Sequence, residues 1–160
     1  MKTRQLDLHT FDELRTEILS LSTRPYQRAG QWSLGQNCQH LAKILNQSID
    51  GFDIRLPWFI RIFSGFIKNR VLKNRCFPKG VQAPKPFLPD KQADDEQGVS
   101  ELLKAIQRYQ HHTGPLQPSP LFGRLSREEW DQLHLIHASH HLGFILPIDS
   151  SKEGENPING

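Results

Sequence analysis

The chain has 160 residues, 36% of them apolar and 23% charged, with a formal charge of +3. That size suits one domain able to bury its own core without metal or disulfide staples. No run approaches the ~18 apolar residues of a spanning helix, and the two cysteines, Cys38 and Cys76, stand far apart and outside any C-x-x-C, which fits reduced thiols better than a disulfide framework. A polar helical pattern from the N-terminus, without an apolar leader stretch, makes a cytoplasmic address the expectation.

The first helix is predicted from Thr10, whose spacing to Glu13 is that of a capping box, and its apolar stripe is Phe11, Leu14, Ile18 and Leu21. Pro25 and Gly30 punctuate the break that follows. Ser33 and Gln36 repeat the cap signature, and Leu34, Cys38, Leu41, Leu45, Ile49 and Phe52 carry a second helix to about Gly51. Residues 53–91 change texture. The run "LPWFIRIFSGFIKNRVLKN" fits an extra amphipathic helix, with Trp58, Phe59, Ile62, Phe63, Phe66 and Ile67 facing a partner surface and Arg61, Ser64 and Lys68 turned away. "CFPKGVQAPKPFLPDK", with four prolines, reads as an extended crossover.

Helical pattern resumes at Asp94 or Asp95 and runs through Val99, Leu102, Leu103, Ile106 and Tyr109 to the stop at Gly114 and Pro115. A third capping box, Ser126 with Glu129, opens a last helix that is expected to reach Leu146 and stop at Pro147. The sum is an all-α four-helix bundle with a long crossover between its second and third helices and no convincing strand. Residues 1–146 form the expected single domain, and 147–160 a polar tail. The short connections make the first two helices, and the last two, antiparallel pairs.

Four of the eight histidines fall in "HLIHASHH" on the last helix. His137 and His141 lie about 40° apart, one turn along the same face, with His134 on that face and His140 on the neighbouring stripe. Imidazoles at i and i+4 can both direct a ring nitrogen at one ion. The absence of Glu after His137 excludes H-E-x-x-H metalloprotease chemistry. On spacing alone, a metal pair and a set of hydrogen-bonded histidines on a polar helix both stand. His40, beside Leu41 and Leu45 on the second helix, can complete a three-histidine site if those two helices are neighbours.

The segments "WSLGQNCQHLA" and "HASHHL", with the lead-in F-G-x-L-x-x-x-x-W of "PLFGRLSREEWDQLHLIHASHHLGF", resemble the DinB/YfiT-like metalloenzyme superfamily, in its branch of bacterial proteins of unknown function. The resemblance covers residues 8 to 146. It implies a DinB-like four-helix bundle and a divalent metal held by His40, His137 and His141, with His134 and His140 in supporting or packing roles and Trp32 as a packing anchor. Zinc is the leading ion, and nickel and iron also accept imidazole. The superfamily includes transferases that use low-molecular-weight thiols, so the resemblance implies a small-molecule substrate and thiol-dependent S-transfer or isomerisation. No Asp or Glu is marked by position as a general base. The alternative is a non-catalytic ligand- or partner-binding bundle, its metal structural or absent. Its basis is the aromatic, basic stretch at 55–79, which also suits an anionic membrane surface. Solvated helix edges and loops carry such charge more often, a helix that simply covers the bundle core is the commoner reading of the stretch, and no nucleic-acid partner is expected. A homodimer through a bundle face is compatible with the pattern.

Overall fold

Three helices begin where side chains satisfy the first free backbone N–H groups. In the computed structural model, which describes residues 3–54, 64–77 and 85–148, capping boxes at Thr10, Ser33 and Ser126 start α1 (Phe11–Ser22), α2 (Leu34–Asp50) and α5 (Arg127–Leu142). Between them lie α3 (Ser64–Asn74), a 3-10 turn (Lys85–Phe87) and α4 (Asp95–His111), the last capped by Asp94. Five α-helices among the described residues make the protein mostly helical, in keeping with a helical bundle. Their apolar faces meet in one core that includes Ile18, Leu34, Leu102, Ile106, Trp130 and Leu142.

The most extensive helix contact is between α2 and α4, and two glycines permit it. A Cβ on Gly98 would lie 2.2 Å from the Gly35 carbonyl oxygen, and one on Gly35 would lie 2.1 Å from that of Asp94. Backbone therefore rests on backbone at this crossing. One residue on, Asp95 Oδ1 accepts the Gly35 N–H at 2.7 Å, while Tyr26 Oη donates to Asp95 Oδ2 at 2.7 Å and accepts the Leu34 N–H at 3.0 Å. The first turn of α2 is thus held by α4. At the other end Arg108 of α4 makes a two-pronged pair with Asp50 of α2, at 2.6 and 2.7 Å. Contacts advance together along both chains, so α2 and α4 run parallel, which the long intervening segment makes sterically feasible.

Against α5 the order reverses. Asn37, His40 and Ser48 of α2 meet His141, His137 and His134, so α2 and α5 are antiparallel. α1 packs on both α4 and α5. The last turn of α4 is closed from α5 as well: Arg127 donates to the carbonyls of Tyr109 (2.9 Å) and His112 (2.8 Å), and its guanidinium lies 4.3 Å from the centre of the Tyr109 ring.

Three expectations change. First, α5 ends at Leu142, not Leu146. Pro147 has no N–H to give the Gly143 carbonyl, which accepts the Arg4 N–H instead at 2.9 Å. Second, strands exist: β1 (Tyr26–Arg28) and β2 (Ile145–Pro147) pair antiparallel, and the Ile148 N–H extends the pairing to Pro25. Three residues each are too short to register as alternation. This ribbon ties the chain entering α2 to the chain leaving α5.

Third, α3 turns a different face to the bundle. Val71 is buried and Ile67 and Leu72 pack on the core, whereas Phe66 is 74% exposed. Lys68, expected outside, is half-buried and pairs with Glu129 at 2.6 Å. The stripe that covers the core is Ile67, Lys68, Val71 and Leu72, at the spacing of one helical face. Trp58, Phe59, Arg61, Ile62 and Phe63 lie outside the described residues. No described helix is long and apolar enough to cross a membrane.

Candidate metal centre

The antiparallel α2–α5 contact brings His40, buried on α2, to His137 and His141 on α5. The Nε2 atoms of His40 and His137 are 3.2 Å apart, and ligand nitrogens of all three rings lie within 4.8 Å of one another. Imidazole nitrogens bound at ~2.0–2.1 Å around a tetrahedral ion sit about 3.4 Å apart, so the closest pair already has that spacing. Three His could bind a metal ion here.

Hydrogen bonding selects which nitrogens face the cluster. His40 Nδ1 lies 2.7 Å from the Phe87 carbonyl oxygen. A carbonyl only accepts, so Nδ1 carries the proton and Nε2 presents a lone pair. His141 Nδ1 lies 3.1 Å from Asn37 Oδ1. Such outer partners orient a metal-ligating imidazole. Phe87 reaches His40 because the 3-10 turn of the crossover places it, 8% exposed, over α2.

Burial holds all of these rings neutral. His40 is pushed below the ordinary imidazole range by burial, with the Phe87 carbonyl pulling the other way. His137 and His141 are pushed well below it, by burial first and then by the neighbouring histidines. Neutral imidazole is the ligand form. Trp32, half-buried just ahead of the α2 cap, stacks its indole on His141 at 5.4 Å and 8° and meets His40 at 5.1 Å. It packs against the rings, as expected of an anchor, and does so on the cluster itself.

His134 and His140 stand apart from the three. His134 is buried between Trp130, stacked at 5.0 Å, and Tyr109, edge-on at 4.8 Å. Its Nε2 lies 3.2 Å from Ser48 Oγ, whose own proton goes to the Leu45 carbonyl at 2.7 Å. The serine therefore accepts from the histidine, the reverse of an activated nucleophile. Desolvation lowers the His134 pKa to about 3. His140, also lowered by burial, meets His141 and Phe144 edge-on at 5.3 Å.

Phe77, on the segment after α3, lies 5.4 Å from the His137 ring. Cys38 is buried, its thiol is pushed up by desolvation, and it is not among the residues whose ligand atoms meet at the cluster. Sequence reasoning passed over Asn37 and the Phe87 carbonyl. The first carried a faint signal, since it stands one turn before His40 on the same helix. The second carried none, because a backbone carbonyl has no residue signature.

No curated protein and no solved structure matches the chain. Residues 1–148 match the family described as protein of unknown function (DUF1569), and the chain belongs to that family.

Proposed function

We propose that this protein is a metal-dependent enzyme acting on a small molecule, with His40, His137 and His141 as ligands of one divalent ion. The observation that carries the proposal is the approach of the His40 and His137 Nε2 atoms to 3.2 Å, with a lone pair fixed on His40 by the Phe87 carbonyl. His40 is buried and His137 partly buried; without an ion, a His137 N–H can donate to the His40 lone pair across this contact, and the same spacing suits two ligands of one ion. Membership of the unknown-function family and the DinB-like histidine segments support it.

Three neutral ligands leave the ion's charge intact, so it would supply Lewis acidity and lower the pKa of a water or thiol in an open position. The residues around it contribute the rest. The Phe87 carbonyl holds the His40 tautomer, and Trp32 and Phe77 pack against the histidine rings. Zinc is the ion we assign, as the most available one that tolerates three imidazoles, and thiol-dependent S-transfer or isomerisation the reaction class, on the resemblance to the DinB-like superfamily.

Elemental analysis of protein prepared without an affinity tag tests this directly. About one divalent ion per chain is expected, with loss in His40→Ala and in His137→Ala. Native protein that is metal-free and cannot be reconstituted with zinc, nickel or iron removes the proposal. Consumption of a low-molecular-weight thiol in the presence of a panel of small electrophiles then tests the reaction class.

One observation favours a second reading, a binding bundle at a surface: α3 exposes Phe66 beside the exposed cations Arg70 and Lys73. Sedimentation with anionic and neutral liposomes separates the two. Retention on anionic vesicles that is lost in Phe66→Ser supports the surface reading.

A further inference from the structure

Asn37 is 2% exposed, lies on α2 one turn ahead of His40, and is outside the proposed ligand set. We propose that Asn37 is a positioning residue that fixes the tautomer and the ring orientation of His141. Its amide can be oriented from its other contacts. Nδ2 lies 2.8 Å from the Ser33 carbonyl oxygen and 3.4 Å from that of Trp32. Both are acceptors, so the end that faces them is the NH2 group. Flipping the amide would turn Oδ1 onto two carbonyl oxygens.

Oδ1 therefore faces His141 Nδ1 at 3.1 Å, and an oxygen acceptor there requires the ring nitrogen to carry the proton. Nε2 is left as the lone-pair nitrogen, as in His40. The same side chain binds the peptide carbonyl of Trp32, whose indole stacks on the His141 face at 5.4 Å. Asn37 thus grips the edge of the ring and the segment that covers its face. The consequence for ion affinity rests on the three-histidine reading; the consequence for the tautomer does not.

The test uses the full-length protein, metal-free, with 15N-labelled histidine. Long-range 1H–15N spectra above pH 7.5 should give His141 as a single Nδ1–H tautomer in the wild type and as a mixture in Asn37→Leu. Zinc titration against a competing chelator should give an affinity 10- to 100-fold weaker in Asn37→Leu, the usual loss when an outer-shell partner is removed. Asn37→Asp keeps an acceptor for His141 and loses both donors. It should retain the tautomer and most of the affinity while the metal-free protein unfolds at a lower temperature.

A merely structural residue would lower the unfolding temperature of both variants and leave the tautomer unmoved. An Nε2–H tautomer in the wild type overturns the assignment and needs no variant to fold. So does Asn37→Leu with an unchanged tautomer and unchanged zinc affinity. Wild type with the Nδ1–H tautomer that binds no ion supports the role of Asn37 and overturns the three-histidine reading instead.

Discussion

His40 and His137, 97 positions apart in the chain, bring their Nε2 atoms within 3.2 Å across the α2–α5 contact. His40 Nε2 holds a lone pair because its Nδ1 proton goes to Phe87, and on the proposed reading that lone pair faces a cation shared with His137. A ligand that binds only the folded chain stabilises it by mass action, about 2.7 kcal/mol at a free concentration one hundred times Kd. Zinc added to metal-free protein is therefore expected to raise the thermal midpoint, and His137→Ala should abolish the rise. Calorimetric scans with and without the ion make the comparison; equal shifts in both proteins would place the binding elsewhere.

Acid should destabilise the metal-free protein through its buried histidines. His134, with a folded pKa of about 3 against an ordinary 6.5, binds protons more readily unfolded than folded. The stability this asymmetry contributes is fully present above ~pH 6.5. It is lost as pH falls toward 3, at up to ~1.4 kcal/mol per pH unit for each such group. His137 and His141, also pushed down by burial, add to the slope in the same direction. Urea midpoints between pH 7.5 and 5 should fall, and His134→Phe should flatten the dependence. That variant leaves Ser48 still donating to the Leu45 carbonyl.

Gly98→Ala is expected to destabilise the fold although alanine is the better helix former by about 1 kcal/mol. The added Cβ would sit 2.2 Å from the Gly35 carbonyl oxygen, which is backbone and cannot swing aside. Separating α2 from α4 should cost roughly 1–3 kcal/mol net, the range for overpacking. Denaturant unfolding measures it. A stabilised Gly98→Ala would mean that the two helices are not in backbone contact.

Asp95 accepts the Gly35 N–H and the Tyr26 hydroxyl, so Asp95→Ala leaves both without their partner. A loss of about 1–3 kcal/mol is expected. Glu96→Ala, exposed on the same turn, serves as the neutral control. Tyr26→Phe removes the bond to Asp95 and leaves the Leu34 N–H without its acceptor, so a loss similar to that of Asp95→Ala is expected.

Local chemistry was legible from residue order. Capping boxes at Thr10, Ser33 and Ser126 stand where expected, because each closes between positions i and i+3 and needs nothing beyond its own helix. His137 and His141 share a face for the same reason. The mostly helical architecture agrees with the expected all-α bundle. The end of α5 was misplaced because proline acts through the carbonyl four residues earlier, at Gly143, as well as at its own position.

Only the tertiary structure decided what depends on partners far along the chain. No periodicity announces that Gly35 meets Gly98, that three residues at 26–28 pair with three at 145–147, or that α3 buries Val71 and exposes Phe66. These follow from which helix faces converge once the core closes. The same holds at the histidines: their types and spacing belong to the sequence, but the partners of two of the rings, a Phe87 carbonyl for His40 and an Asn37 amide for His141, come from elsewhere in the fold. Hydrogen-bond direction is a property of two groups, and the second of each pair arrives only with the fold.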